Sequence, residues 1–240
     1  MAVTVVLMIS LAAVLQPSAG QGPIASLSTD RADQQKEITN KHNALRRSVK
    51  PSASNMLRME WSPAAAENAK RWAQQCNQNH SPSDKRTVNG IGCGENLYMS
   101  TAPNSWSKAI DAWFSEVKDF RYGQGSVTGA QTGHYTQLTW YRSYLLGCAV
   151  AHCPRSRFAY YFVCHYCPAG NIIGSINKPY KSGRPCADCP NACDNGLCTN
   201  PCKHDDKYSN CADLKRSPGC NNAQVKEWCP ASCQCTTEIK

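Results

Sequence analysis

The chain is 240 residues long, with 16 Cys and a formal net charge of +9. The excess of Lys and Arg is confined to residues 1–185, where 20 stand against 10 Asp and Glu, while residues 186–240 carry six against seven. Such a charge suits acidic membrane surfaces or proteoglycans, or solubility alone; with no basic cluster beyond Arg46-Arg47, nucleic acid is excluded as an expected partner.

Residues 1–20 read as a secretory signal peptide. Val3 to Val14 is an almost unbroken apolar run before Gln16-Pro17-Ser18-Ala19-Gly20, with no basic flank other than the terminal amine. Cleavage after Gly20 would expose Gln21. The run is shorter than the ~20 residues of a membrane-spanning helix, and no later segment is long enough, so a soluble extracellular chain is expected. In that oxidising setting, 16 Cys imply eight disulfides.

Thr29 or Asp30 is placed to cap a helix over residues 31–49, with Ile38, Leu45 and Val49 near one face and Pro51 as its stop. Leu57 to Trp61 alternates like a short strand. Ser62-Pro63 then opens a second helix, Ser as N-cap and Pro at the first helical position, running to Cys76. A third helix is predicted over Trp106 to Phe120, with Ile110, Trp113, Phe114 and Val117 inward. Leu146 to Ala151 and Arg157 to His165 read as strands, and Asn171 to Ile176 as a further one. Interleaved helices and strands predict an α/β layered module.

Cysteine density divides the chain. Residues 21–185 hold six (Cys76, Cys93, Cys148, Cys153, Cys164 and Cys167) and residues 186–240 hold ten. The first stretch is long enough to bury its own core; the second needs staples. Pro179 to Pro185 reads as a linker. The expected organisation is a signal peptide (1–20), an α/β module (21–178), a linker with a disulfide-rich hinge (179–201) and a cysteine-rich tail (202–240).

Four segments are long and specific: Ser54-Asn-Met-Leu-Arg-Met-Glu-Trp61, Cys93-Gly-Glu-Asn-Leu-Tyr-Met99, Gly133-His-Tyr-Thr-Gln-Leu-Thr-Trp140 and Tyr161-Phe-Val-Cys-His-Tyr-Cys-Pro-Ala-Gly-Asn171. With the run Cys186 to Cys202, which matches the family hinge, they resemble the cysteine-rich secretory proteins of the CAP superfamily, found in reptile venoms and vertebrate reproductive tracts. The resemblance spans essentially the whole mature chain. It implies an α-β-α sandwich CAP module, and it implies a disulfide pairing that counting leaves open, since six Cys alone allow fifteen connectivities. That pairing is Cys76–Cys153, Cys93–Cys167 and Cys148–Cys164 in the module, Cys186–Cys193 and Cys189–Cys198 in the hinge, and Cys202–Cys235, Cys211–Cys229 and Cys220–Cys233 in the tail.

The same resemblance implies that His80, Glu95, Glu116 and His134 line a cleft suited to a divalent ion such as Zn2+, with the two His as ligands and the Glu coordinating or supporting them. A hydrogen-bonded cluster without metal is the alternative. Either Glu could serve as a general base on metal-bound water, but no nucleophile elbow or zinc-protease helix motif is present, so a non-enzymatic role is expected. Asn79-His80-Ser81 is a glycosylation sequon overlapping one candidate ligand, and the following Pro82 argues against occupancy.

The tail cysteines from Cys202 to Cys235 are separated by eight, eight, eight, three and one residues, with helix-compatible stretches such as Ala223 to Trp228 between them. This resembles the small sea-anemone potassium-channel toxin fold, in which a Lys enters the pore beside an anchoring aromatic. Here Lys226 and Trp228 are separated by Glu227, and Lys207-Tyr208 follows Asp205 and Asp206, so contact with an outer vestibule is expected rather than a simple Lys plug. The resemblance implies a secreted monomer that binds the ectodomain or vestibule of an ion channel: voltage-gated calcium or potassium, ryanodine receptor or cyclic-nucleotide-gated. As a venom toxin it would affect muscle contraction. A reproductive-tract protein regulating sperm channels, and a lipid- or sterol-binding CAP protein, are the alternatives.

Overall fold

The computed structural model describes residues 24–240, so the signal-peptide reading lies outside the described residues. Helix α1 (Ala32–Ser48) is flanked by Arg31 and has no side-chain cap. Asp30, expected as a cap, instead accepts from Lys70 Nζ at 3.0 Å and from Ser28 Oγ. Its inward face is polar as well as apolar: Ile38, His42, Asn43 and Arg46 are buried, Leu45 is half-buried, and Val49 lies beyond the helix end in a separate cluster.

The strand expected from Leu57 is only two residues, β1 (Glu60–Trp61), because Leu57 bridges to Cys198 of the hinge. Ser62 Oγ accepts the Ala65 amide at 3.2 Å and Pro63 opens α2 (Pro63–Ala73), as expected. The helix stops short of Cys76, which adopts a φ of 55°. A small hairpin, β2 (Thr87–Val88) with β3 (Ile91–Gly92), leads into β4 (Gly94–Ser100).

The third helix, α3 (Trp106–Phe114), is shorter than expected: a 3₁₀ turn over Ser115–Asp119 follows, and Phe120 is taken by the hairpin of β5 (Phe120–Arg121) and β6 (Gly125–Ser126). Val117 is therefore only half-buried. After α4 (Gly133–Leu138) come β7 (Leu145–His152) and β8 (Tyr160–Cys167). The second begins later than Arg157, whose guanidinium lies 5.3 Å from the Phe158 ring. Residues 171–176 form no strand: Asn171 takes a φ of 53° and Gly174 one of 83°, and the Ser175 amide closes a turn on the Ile172 carbonyl at 2.9 Å.

The central sheet has the order β1-β7-β8-β4, parallel between β1 and β7 and antiparallel elsewhere. Alternation along β8 builds both halves of the core, because successive side chains point to opposite faces. Tyr160, Phe162, Cys164 and Tyr166 meet Ile38, Trp106, Ile110 and Trp113 from α1 and α3. Tyr161 and Val163 meet Ala69 and Ala73 of α2. Helix α2 lies so close to β7 that a Cβ on Gly147 would fall 2.0 Å from the Ala66 nitrogen. The result is an α-β-α sandwich.

The hinge is a hairpin of β9 (Cys193–Asp194) and β10 (Leu197–Cys198), with Asn195 and Gly196 at positive φ in the turn. Short helices α5 (Cys211–Leu214), α6 (Ala223–Trp228) and α7 (Pro230–Gln234) make the tail; α6 is capped by Asn222, whose Oδ1 accepts from Gln224 and Val225. The stretch read as a linker is held against the module: Tyr180 is buried, Ser54 N donates to Lys181 O at 2.8 Å and Gly183 N to Ser52 O at 2.9 Å. All eight disulfides form with the pairing the family resemblance implies. No described helix is long and apolar enough to cross a membrane.

Candidate metal cleft and tail face

Strand β4 supplies Glu95, and its register places it opposite His165 of β8. The Glu95 side chain is 1% exposed. Its Oε1 receives the Ser81 amide at 2.9 Å and His80 Nδ1 at 2.7 Å; its Oε2 receives Ser81 Oγ at 2.7 Å and His165 Nε2 at 3.0 Å. Arg86 Nη1 stands 3.7 Å from Oε1. Burial alone would push this carboxyl up, but the hydrogen bonds from His165, His80 and Ser81 outweigh it and hold Glu95 at about 2. Glu95 is therefore a fixed anion.

The second pair forms where α4 meets the turn after α3. His134 Nδ1 lies 2.6 Å from Glu116 Oε1, and Glu116 Oε2 accepts the Tyr135 amide at 3.0 Å. Trp113 stacks on the His134 ring at 6.4 Å between centroids. Asn96, next to Glu95 on β4 but facing the other side of the sheet, donates to the His134 carbonyl at 3.1 Å and to Tyr166 Oη at 3.3 Å. Tyr166 in turn reaches His42.

The four expected cleft residues thus form two His–Glu pairs, one at β4 and one where α4 meets the turn after α3. Among the described residues, no three of them bring ligand atoms within 4.8 Å of one another. The triads that do are Cys186, Cys189 and Cys198, and Asp206, Cys211 and Cys229. Their sulfurs are oxidised in disulfides, and a metal needs the thiolate. The donor chemistry of the His–Glu pairs does fit a divalent ion. Each imidazole is held through Nδ1 by a carboxylate, and each Nε2 has no hydrogen-bond partner among the described residues, the arrangement that orients metal-binding histidines. Sequence reasoning missed His165, Ser81 and Arg86. Alternation in Tyr161–His165 was the available signal for His165, but only strand register sets it against Glu95.

In the tail, the two Lys–aromatic candidates form one face. The Tyr208 and Trp228 rings meet edge to face at 5.5 Å, and Tyr208 is 51% exposed. Lys207 N donates to Trp228 O at 2.7 Å, and its Nζ reaches Glu227 at 2.9 Å. Lys226 is exposed and has no ion pair among the described residues. The neighbouring acids are spent internally: Asp205 pairs with Arg142 of the large module, and Asp206 accepts from Ser232 N and Oγ.

A sheet between helical layers, a paired His–Glu cleft and a disulfide-bound C-terminal knob define a CAP-type module with a cysteine-rich appendage. The chain belongs to the cysteine-rich secretory protein family, whose model matches residues 39–166, while the Crisp model matches 186–240. Among solved structures it is similar to NaASP2, determined with Zn2+, at 32% identity and a TM-score of 0.61 over 70% of this chain and 96% of that one. It is also similar to Na-ASP-1, at 30% identity and a TM-score of 0.59 over 69% and 46% of the two chains. Schistosoma mansoni venom allergen-like protein 4, at 22% identity and a TM-score of 0.53 over 65% and 97%, shares the fold.

Proposed function

We propose that the protein is a secreted, non-catalytic modulator of membrane ion channels, with the tail as the contact surface and the large module as its platform. The observation that carries this reading is the Tyr208–Trp228 pair, an exposed aromatic edge flanked by Lys207 and by Lys226, which has no ion pair among the described residues. Aromatic rings with a neighbouring cation anchor protein interfaces, and an ammonium suits the rim of a cation pore. Eight disulfides fit an oxidising, extracellular setting. The His–Glu cleft is proposed as a Zn2+ site held by His80 and His134, with Glu95 and Glu116 fixing the rings; the ion would supply a positive centre there. Glu95 is a poor general base, because both oxygens already accept hydrogen bonds and its pKa is about 2.

Patch-clamp recording across voltage-gated calcium and potassium, ryanodine and cyclic-nucleotide-gated channels tests the reading. A changed current in at least one at micromolar protein is expected; unchanged currents in all would contradict it.

A further inference from the structure

Three of the four large hydrophobic side chains that stand exposed in the described chain lie on two neighbouring loops. Ile173 is 98% exposed and Ile172 53%, at the tip of the turn after β8; Val127 is 46% exposed, just past the β5–β6 hairpin. The loops are fastened side by side. Gly123 N donates to Asn177 O at 2.8 Å, and a Cβ on Gly123 would touch Lys178 Cε at 3.9 Å. Both ends of the isoleucine turn are tied down: Asn171 exchanges hydrogen bonds with Thr136 and Gly133, and Lys178 N donates to Ser175 O at 2.9 Å. The turn is pinned at both ends, with Ile172 half exposed and Ile173 left almost wholly uncovered among the described residues.

Its surroundings are cationic. Lys178 closes the turn, Arg121 sits on β5 and Lys118 precedes the hairpin; all three are exposed and have no ion pair among the described residues. Asp119, the acid beside them, accepts from Thr128 Oγ1 at 2.9 Å. The basic excess of the chain belongs to this module. An apolar tip with neighbouring cations that have no ion pair among the described residues is complementary to a bilayer surface bearing anionic headgroups, where the side chains would enter the acyl boundary and the cations stay with the phosphates.

We infer that the Ile172-Ile173 turn and the adjoining hairpin are a membrane-docking surface for anionic phospholipid. The inference does not depend on the channel reading, because vesicles carry no channel. The test is flotation of the full chain with vesicles of phosphatidylcholine alone and of equal parts phosphatidylcholine and phosphatidylserine. Binding to the anionic vesicles is expected, at least about tenfold weaker for Ile172→Ser/Ile173→Ser, the loss from leaving two isoleucines in water, and weakened by salt for the wild type. Both changed side chains are exposed, so an unaltered near-ultraviolet spectrum identifies a folded variant. Absence of wild-type binding, or a folded variant that binds as well as the wild type, overturns the inference; the latter leaves charge alone, and capture of the tip by a protein partner would then be the remaining use.

Discussion

Tyr166 donates its hydroxyl proton to His42 Nε2 across 2.9 Å, in a place where neither side chain meets solvent. The opposite ring nitrogen, Nδ1, gives its proton to the Ile38 carbonyl at 2.8 Å, so the bonds are satisfied only by neutral imidazole. The chain of bonds continues through Asn96 to the backbone of His134 and ties α1, β8, β4 and α4 together at the cleft.

Burial lowers the His42 pKa from 6.5 to about 4. Between those values an unfolded chain takes up a proton that the folded chain refuses. Acidification through the window therefore removes stability, and the loss is complete below the folded value. It amounts to roughly 3 kcal/mol. Denaturant melts at several pH values should show the wild type losing this much more than His42→Gln between pH 6.5 and 4; parallel curves would contradict it.

Arg46 is the buried cation at the centre of the fold, 1% exposed. It donates to the carbonyls of Leu57, Leu138, Trp140, Tyr141 and Ser143 at 2.8–3.2 Å and pairs with no carboxylate among the described residues. Burial brings its pKa down to about 9. Arg46→Met would strand several buried acceptors, at a cost of about 3–5 kcal/mol, read as a lower denaturation midpoint. It would also release the 138–143 segment that supports the hinge, since Tyr141 O accepts from Leu57 N and Tyr141 N donates to Pro179 O.

Cys202 and Cys235 close the tail across 33 residues. A loop of that length is worth about 3–4 kcal/mol when cross-linked, a large share for a unit whose buried clusters are Cys202, Ala231 and Cys235, and Cys211, Val225 and Cys229. Cys202→Ser/Cys235→Ser should make residues 203–240 open to protease while the sheet module stays resistant, as mapped by mass spectrometry.

Zinc titration by calorimetry should give heat with the wild type and none with His80→Ala/His134→Ala. Glu95→Gln should weaken binding about 10–100-fold through loss of the carboxylate behind His80. Equal heats for wild type and double variant would remove the metal from the cleft.

Much of this was legible beforehand where local chemistry decides: Ser62-Pro63 starts α2, residues 223–228 form α6, and the runs at 146–151 and 157–165, the second aromatic and β-branched, become β7 and β8. Misreadings came where a distant partner wins. Asp30 prefers Lys70 to the helix amides, and Phe120 leaves α3 for a hairpin. Residues 171–176 have strand composition but left-handed positions at Asn171 and Gly174. The cleft residues came through family likeness, whereas their separation into two pairs and the closure of Tyr208 on Trp228 depend on strand register and disulfide geometry across long sequence distances.

The channel-contact claim is tested most directly by recording a sensitive channel with the wild type and with Tyr208→Ser/Lys226→Ala, two exposed changes that leave the disulfide framework intact. The half-inhibitory concentration is expected to rise at least about thirtyfold, the effect of losing an interface anchor worth about 2 kcal/mol. An unchanged dose–response curve for the folded variant would place the contact elsewhere and contradict the role given to the tail.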